Sequence, residues 1–274
     1  MNPRATRAFK VTDLISIIVF ASLFVLMLIG VIHPPQDPFA MNIMDRFAPP
    51  SFAHLMGTDE FGRDLFSRVL VALGTSFTVG VGSLLFGLIG GVVIGGVAGY
   101  TGKAGVWLSE VLMRLMDAAY AFPHLVLALL FLTVLGPGEW SAVVAIGVFS
   151  IPIFARLTFG SVMEGKQLLY VKAAQSMGGS RFYVLSRHII RYAWPVLLVQ
   201  ATSSFSMAVL AEAALSFLGV GIQPPMPSLG SMLSDAQNYL AQSMYMAIFP
   251  GIMLLLVVVS VSRIGDALEG RLRR

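Results

Sequence analysis

The chain has 274 residues, of which 57% are apolar and only 12% charged, with a mean hydropathy of +0.82. Soluble domains carry roughly 25% charged residues, so this composition excludes an ordinary water-soluble enzyme, and its hydrophobicity excludes a disordered chain. Cysteine is absent and the net charge is only +4, which removes disulfide frameworks, thiolate metal sites and cysteine nucleophiles and makes the placement of charges the informative quantity.

A bilayer-crossing helix needs about 20 mostly apolar residues. Stretches free of charge and histidine run from Leu14 to Ile32, Val69 to Gly102, Leu125 to Gly138, Trp140 to Ala155, Tyr192 to Ala211 and Ala236 to Ser262. They predict six spanning helices, near 13–32, 74–100, 108–135, 140–158, 190–217 and 244–263. The fold class is an all-α integral membrane protein, because lipid offers backbone groups no hydrogen-bond partners. Arg4, Arg7 and Lys10 precede the first stretch, as in a secretory signal. Its length, and its continuation into Val31-Ile32-His33-Pro34 without a small-x-small cleavage site, predict an uncleaved span instead.

Charge sets the orientation. With the N-terminus inside, the inner segments hold every Lys and Arg of the chain except Arg46, Arg63 and Arg68. The positive-inside rule then places both termini in the cytoplasm.

The outer loop of about 33–67 is too short for a folded domain. A second outer loop, 219–243, opens with Gln223-Pro224-Pro225-Met226-Pro227, whose prolines enforce extended or turned backbone. The one sizeable inner loop spans about 159–189. Within it, Gly160 to Gln167 reads G-x-x-x-x-G-K-Q, one residue away from a phosphate-binding loop. The position that must hold a magnesium-binding hydroxyl is Gln167, and no strand precedes the segment, so it reads as a polar turn. Gln167 to Met177 predicts a short helix, stopped by Gly178-Gly179 and followed by Ser180 as the cap of another. Leu169, Ala173 and Met177 fall at i, i+4 and i+8, with Tyr170 and Ala174 beside them. This gives one apolar face with a small-residue centre, suited to packing on the protein's own helices or to insertion into a partner's groove.

Further candidates are spread along the spans. Ser83, Gly87, Gly91, Gly95 and Gly99 recur every four residues, a small-residue stripe that permits close helix contact. Glu212 is a lone carboxylate deep in an uncharged span, a candidate for the translocation path or gate and equally for buried hydrogen bonding. Glu110, Arg114 and Asp117 sit at i, i+4 and i+7, placed for ion pairing along a helix or for an inner gate. His33, His54, His124 and His188 are scattered and predict no metal site, and the 15 methionines serve equally as adaptable packing.

Tyr170-Val171-Lys172-Ala173-Ala174-Gln175-Ser176-Met177-Gly178 resembles the EAA loop of ABC importer permeases. His54-Leu55-Met56-Gly57-Thr58-Asp59-Glu60-Phe61-Gly62-Arg63-Asp64-Leu65-Phe66-Ser67-Arg68 is similar to the G-T-D-x-x-G-R-D-x-x-S-R signature of C-type subunits in the peptide and nickel subfamily. Ala211 to Gly221 resembles that subfamily's E-x-x-L-S-F-L-G-x-G, and Pro225 to Leu233 the loop after it. Three positions depart from the pattern: Lys172 for an acidic residue, Arg191 for a proline and Leu229 for a tryptophan.

The resemblance covers nearly the whole chain and implies a type I ABC importer permease fold. It divides the chain into residues 1–72 (tail, first span and outer loop), a transmembrane domain at 73–266 with its coupling loop near 160–190, and a basic tail at 267–274. Leu169, Tyr170, Val171, Ala173, Ala174, Met177 and Gly178 would form the ATPase-docking coupling helix, and Gly57, Thr58, Asp59, Gly62, Arg63 and Asp64 the external signature loop. The implied partners are a homologous B-type permease, two ABC ATPases that bind the ATP and magnesium, an external substrate-binding protein and the lipid bilayer of a bacterial inner membrane. No nucleic acid is implied, and no cofactor, metal or ATPase site of the chain's own. The cargo implied is di- or oligopeptide, with nickel or a metal chelate as the alternative. An ion-coupled secondary transporter is the rival from another class, for which inverted repeats would speak; none is visible.

Overall fold

The computed structural model describes residues 11–101 and 105–272. Arg4, Arg7, Lys10, Lys103, Arg273 and Arg274, which enter the orientation argument, lie outside the described residues. Among the described residues ten α-helices follow one another: α1 (Val11–Ile32), α2 (Leu65–Tyr100), α3 (Val106–Ala121), α4 (His124–Leu135), α5 (Glu139–Gly165), α6 (Leu169–Ser176), α7 (Arg181–Val184), α8 (Ile190–Phe217), α9 (Leu229–Gln237) and α10 (Tyr245–Leu272). A π-helical stretch, Leu185–Ile189, joins α7 to α8, so that Arg181–Phe217 runs as one span of 37 residues. Among the described residues there is no strand beyond an isolated bridge between Thr58 and Asp64.

Among the described residues five helices are long and apolar enough to cross a membrane, and α3 with α4 makes a sixth only as a broken pair bent by 95°. The straight span expected at 108–135 is therefore corrected. Pro123 has no N–H to donate and disfavours helical backbone at the residue before it; Phe122 accordingly sits at φ −77°, ψ 140°. Three other expected bounds move. α2 starts at Leu65 with Asp64 as its N-cap, the carboxylate accepting the Ser67 amide at 2.8 Å, so the domain boundary at 72 falls inside a helix. α5 runs to Gly165, beyond the expected 158. α10 continues to Leu272, where a tail was expected from 267.

In lipid, helices associate through close packing rather than by escaping water. The glycine stripe does this between α2 and α5. A Cβ built on Gly99 would stand 2.7 Å from Val162, and those on Gly87, Gly91 and Gly95 would collide with Ser150, Phe154 and Ala155. Ser83 extends the seam by donating to the Val143 carbonyl at 3.1 Å. α1 lies on α2 through Gly30, where a Cβ would come within 2.5 Å of the Leu70 backbone. Phe20, Phe24 and Phe205 gather around Phe77 at 5.7, 6.0 and 5.6 Å between ring centroids. These contacts make a bundle with the 33–64 loop and α9 at one end, and α6 and α7 at the other.

Candidate functional site

At the α6 end, the helix expected over 167–177 forms from Leu169 to Ser176. Gly178, at φ +84°, supplies the left-handed residue that ends it, and the Ser180 hydroxyl accepts the Tyr183 amide at 3.2 Å to start α7. The expected single apolar face divides in two. Val171 and Ala174 are buried in a cluster with Val162, Val184 and Ile189, which fastens α6 to α5 and the root of α8. Leu169, Ala173 and Met177 point away and are exposed, Leu169 by 84% and Met177 by 82%, while Tyr170 is half exposed with its ring 6.1 Å from that of His188. Val171 and Ala174, both expected in the docking helix, thus lie on its inner side. The sequence periodicity missed this because i, i+4 spacing groups residues without telling which group faces the body of the protein. Lys172 is exposed on the same short helix. Gln175 donates to the Tyr100 hydroxyl at 3.1 Å, tying α6 to the end of α2.

The segment from Gly160 to Gln167 is the last turn of α5 and the turn after it. It has no loop with free amides that could cradle a phosphate.

At the other end, the signature loop folds into a clasp. Asp59 accepts the Phe61 and Arg63 amides at 2.9 Å each and the Arg63 Nε at 2.6 Å, while Arg68 Nε lies 3.3 Å from the same carboxylate. Arg63 also reaches Glu60 at 3.1 Å, Arg68 donates to the Pro38 carbonyl at 3.2 Å, and His54 Nδ1 lies 3.0 Å from Asp64. Thr58 bridges the Asp45 carbonyl and the Ala48 amide. Gly62 takes φ +72°, and a Cβ there would overlap the Asn42 carbonyl; Gly57 takes φ +80°. All six signature residues therefore act together, in a fold of the loop itself.

Asp235, on α9, faces the same clasp, lining a small void with Asp59, Glu60 and Arg68. Burial pushes the Glu60 carboxyl above its usual range, with the Asp59 charge adding to it. Burial likewise raises Asp235, opposed by Arg68 and Arg63. Asp235 escaped the sequence reading because only the fold brings it beside residues so distant in sequence.

Glu212 is fully buried. It accepts the Ser216 hydroxyl at 2.8 Å and the Ser76 hydroxyl at 3.3 Å, and Ser216 in turn accepts the Ile222 amide at 3.0 Å. The carboxylate joins α2, α8 and the loop before α9. A signal for this was present in the serine one helical turn beyond it.

Glu110, Arg114 and Asp117 do not pair along α3. Asp117 reaches across to Arg156 on α5 at 2.6 Å, and the Arg156 guanidinium lies 4.7 Å from the Tyr120 ring centre. Both partners are nearly half exposed. An exposed ion pair between helices of a membrane bundle belongs on a water-filled or protein-covered face.

Residues 91–274 match the model of the family described as binding-protein-dependent transport system inner membrane component. The chain is 38% identical over 260 residues to the glutathione transport system permease protein GsiD of Pectobacterium atrosepticum, covering 93% of this chain and 85% of that one. It is 33% identical to the dipeptide transport system permease protein DppC of Alkalihalophilus pseudofirmus, covering 94% and 84%. It is 37% identical to the di/tripeptide transport system permease protein DppC of Pseudomonas aeruginosa, covering 87% and 80%. Among solved structures, a chain of the inward-facing MetNI methionine ABC transporter superposes with a TM-score of 0.58 at 19% identity, over 77% of this chain and 96% of that one.

Proposed function

We infer the role of this chain from its family: it belongs to the binding-protein-dependent transport system inner membrane components. It is a multi-pass inner-membrane protein and a permease subunit of an ABC importer. Our reading of the cargo is a di- or oligopeptide, supported by relatives that carry dipeptide, di/tripeptide and glutathione transport names. Among the described residues no group of three or more His, Asp or Glu is gathered as a metal site, so no observation favours nickel over peptide.

The observation that carries the mechanism is the split face of α6. A helix of eight residues, anchored through Val171 and Ala174, holds Leu169, Ala173 and Met177 out from the bundle. An exposed apolar patch of this kind calls for a partner. In our reading that partner is one of two ATPase subunits, which bind ATP and magnesium and hydrolyse the nucleotide. Movement of α6 would pass through Val184 and Ile189 into α8, and so into the bundle. A homologous B-type permease would complete the path, and an external binding protein would deliver cargo at the clasp end. The test is reconstitution of the complete complex in liposomes. ATP-dependent uptake of a labelled dipeptide should need this chain, and uptake that persists without it would overturn the assignment.

A further inference from the structure

At the root of α8, Tyr170, Arg187, His188, Arg191 and Tyr192 line a cavity of about 320 Å³. Arg187 and His188 lie in the π-helical stretch, a local widening often found at functional sites. Arg187 and Arg191 are one turn apart and both exposed. Among the described residues neither makes an ion pair or hydrogen bond. Glu164 reaches this wall from α5, where it accepts the Tyr192 hydroxyl at 3.3 Å without pairing with either arginine. His188 stands between the Tyr170 and Tyr183 rings, at 6.1 and 5.6 Å. Two uncompensated guanidiniums beside an imidazole and two phenols make a pocket for an oxyanion.

A second observation selects the anion. Continuing the Arg187–Arg191 stripe by three and then four residues gives Trp194 and Leu198, both exposed and both inside the uncharged stretch from Tyr192 to Ala211. The cationic pocket thus opens where the helix passes from polar loop to apolar span, and an exposed apolar row leads away from it. A free phosphate would satisfy the pocket and leave the row bare. A phospholipid satisfies both, and basic clusters at the mouth of a membrane helix suit anionic headgroups.

We propose that this pocket holds the phosphate of an anionic phospholipid whose acyl chain lies along Trp194 and Leu198. The proposal rests on the membrane placement of the bundle. Because Tyr170 of α6 forms one wall, lipid in the pocket also braces the helix read above as the coupling element.

The test uses the complete transporter complex, purified in mild detergent and offered phosphatidylglycerol or phosphatidylcholine, with retained lipid read by native mass spectrometry. Wild type should retain phosphatidylglycerol preferentially. Arg187→Gln with Arg191→Gln should lower that retention by about thirtyfold, the paired Lys substitutions should keep most of it, and Arg263→Gln, on α10 outside the pocket, should change nothing. Trp194→Ala should weaken retention of the lipid but not of inorganic phosphate. Three results would overturn the proposal: equal retention of both lipids, retention of inorganic phosphate as strong as that of phosphatidylglycerol, or release of a partner subunit by the Gln pair with lipid retention unchanged. Lipid retention does not depend on transport, so failure of the peptide reading would appear separately, as absent uptake with retention intact.

Discussion

Ala173 and Ala174 are neighbours in sequence but differ in burial: Ala174 is sealed against Val162, Val171, Val184 and Ile189, while Ala173 is open. The same substitution at the two positions therefore separates anchoring from docking. Ala174→Glu places a carboxylate in the anchor cluster, where overpacking alone costs roughly 1–3 kcal/mol and an unpaired buried charge adds to it. The expected result is a loosened α6, seen as faster proteolysis of the 166–180 segment. Ala173→Glu should leave proteolysis unchanged and lower ATPase binding at least several-fold. Equal effects of both on proteolysis would show that α6 is not anchored as described.

The spans were legible because a missing charge is a strong signal over 20 residues. What hid were events decided by a few atoms. The break at Phe122–Pro123 was overrun by the apolar pattern continuing on both sides, although the proline lacks a donor. The start of α2 hid because Arg68 looks like a loop residue until Asp59 is seen to pair with it. The motif residues of the clasp were legible as a set, but their purpose was not, since Asp235 joins them only through the fold. Glu212 was legible as unusual; its reason, hydroxyls at positions 76 and 216, is a contact between helices.

The α2–α5 seam predicts severe intolerance to size. Gly91→Leu would drive a side chain into Phe154 and the backbone beside it, with no flexible tip to move aside. The expected loss is about 3 kcal/mol or more, read as failure to accumulate in the membrane at ordinary temperature. Gly160→Leu, where a Cβ meets nothing, should accumulate normally. Normal accumulation of both would contradict the packing.

Glu212→Ala should destabilise the purified complex by roughly 2–5 kcal/mol, because the Ser76 and Ser216 hydroxyls lose their acceptor in a buried site. Glu212→Gln keeps the shape and one acceptor and should cost less. Uptake per folded complex should be near normal for Gln. A selective transport defect with unchanged thermal stability would instead make Glu212 part of the path.

The clasp predicts a pH dependence with a definite sign. Burial raises the Glu60 and Asp235 carboxyls above their ordinary values of 4.5 and 3.8, so the folded state binds protons more readily than the unfolded chain. Their contribution is full below those ordinary values and is lost as pH rises through the raised ones. Around Glu60 stand Asp59, Arg63 and Asp235. Glu60→Gln mimics the protonated form, so wild type and variant should melt together in acid and the wild type should fall behind toward neutral pH. A wild-type advantage that grows with pH would mean that the Arg63 pair outweighs burial.

The last prediction concerns sidedness. Two of the three arginines assigned outside, Arg63 and Arg68, are already neutralised by Asp59 and Glu60. At the opposite end Arg187 and Arg191 stand uncompensated among the described residues, so the charge that orients the chain is more lopsided than a count suggests. The chain has no cysteine, so single replacements report cleanly. Met44 and Phe52 are almost fully exposed in the clasp loop, and Met177 and Phe182 are exposed at the α6 end. In intact cells an impermeant maleimide should label Met44→Cys and Phe52→Cys directly, and Met177→Cys and Phe182→Cys only after lysis. The reverse pattern would invert the bundle in the membrane and would move the exposed face of α6 to the side without ATP.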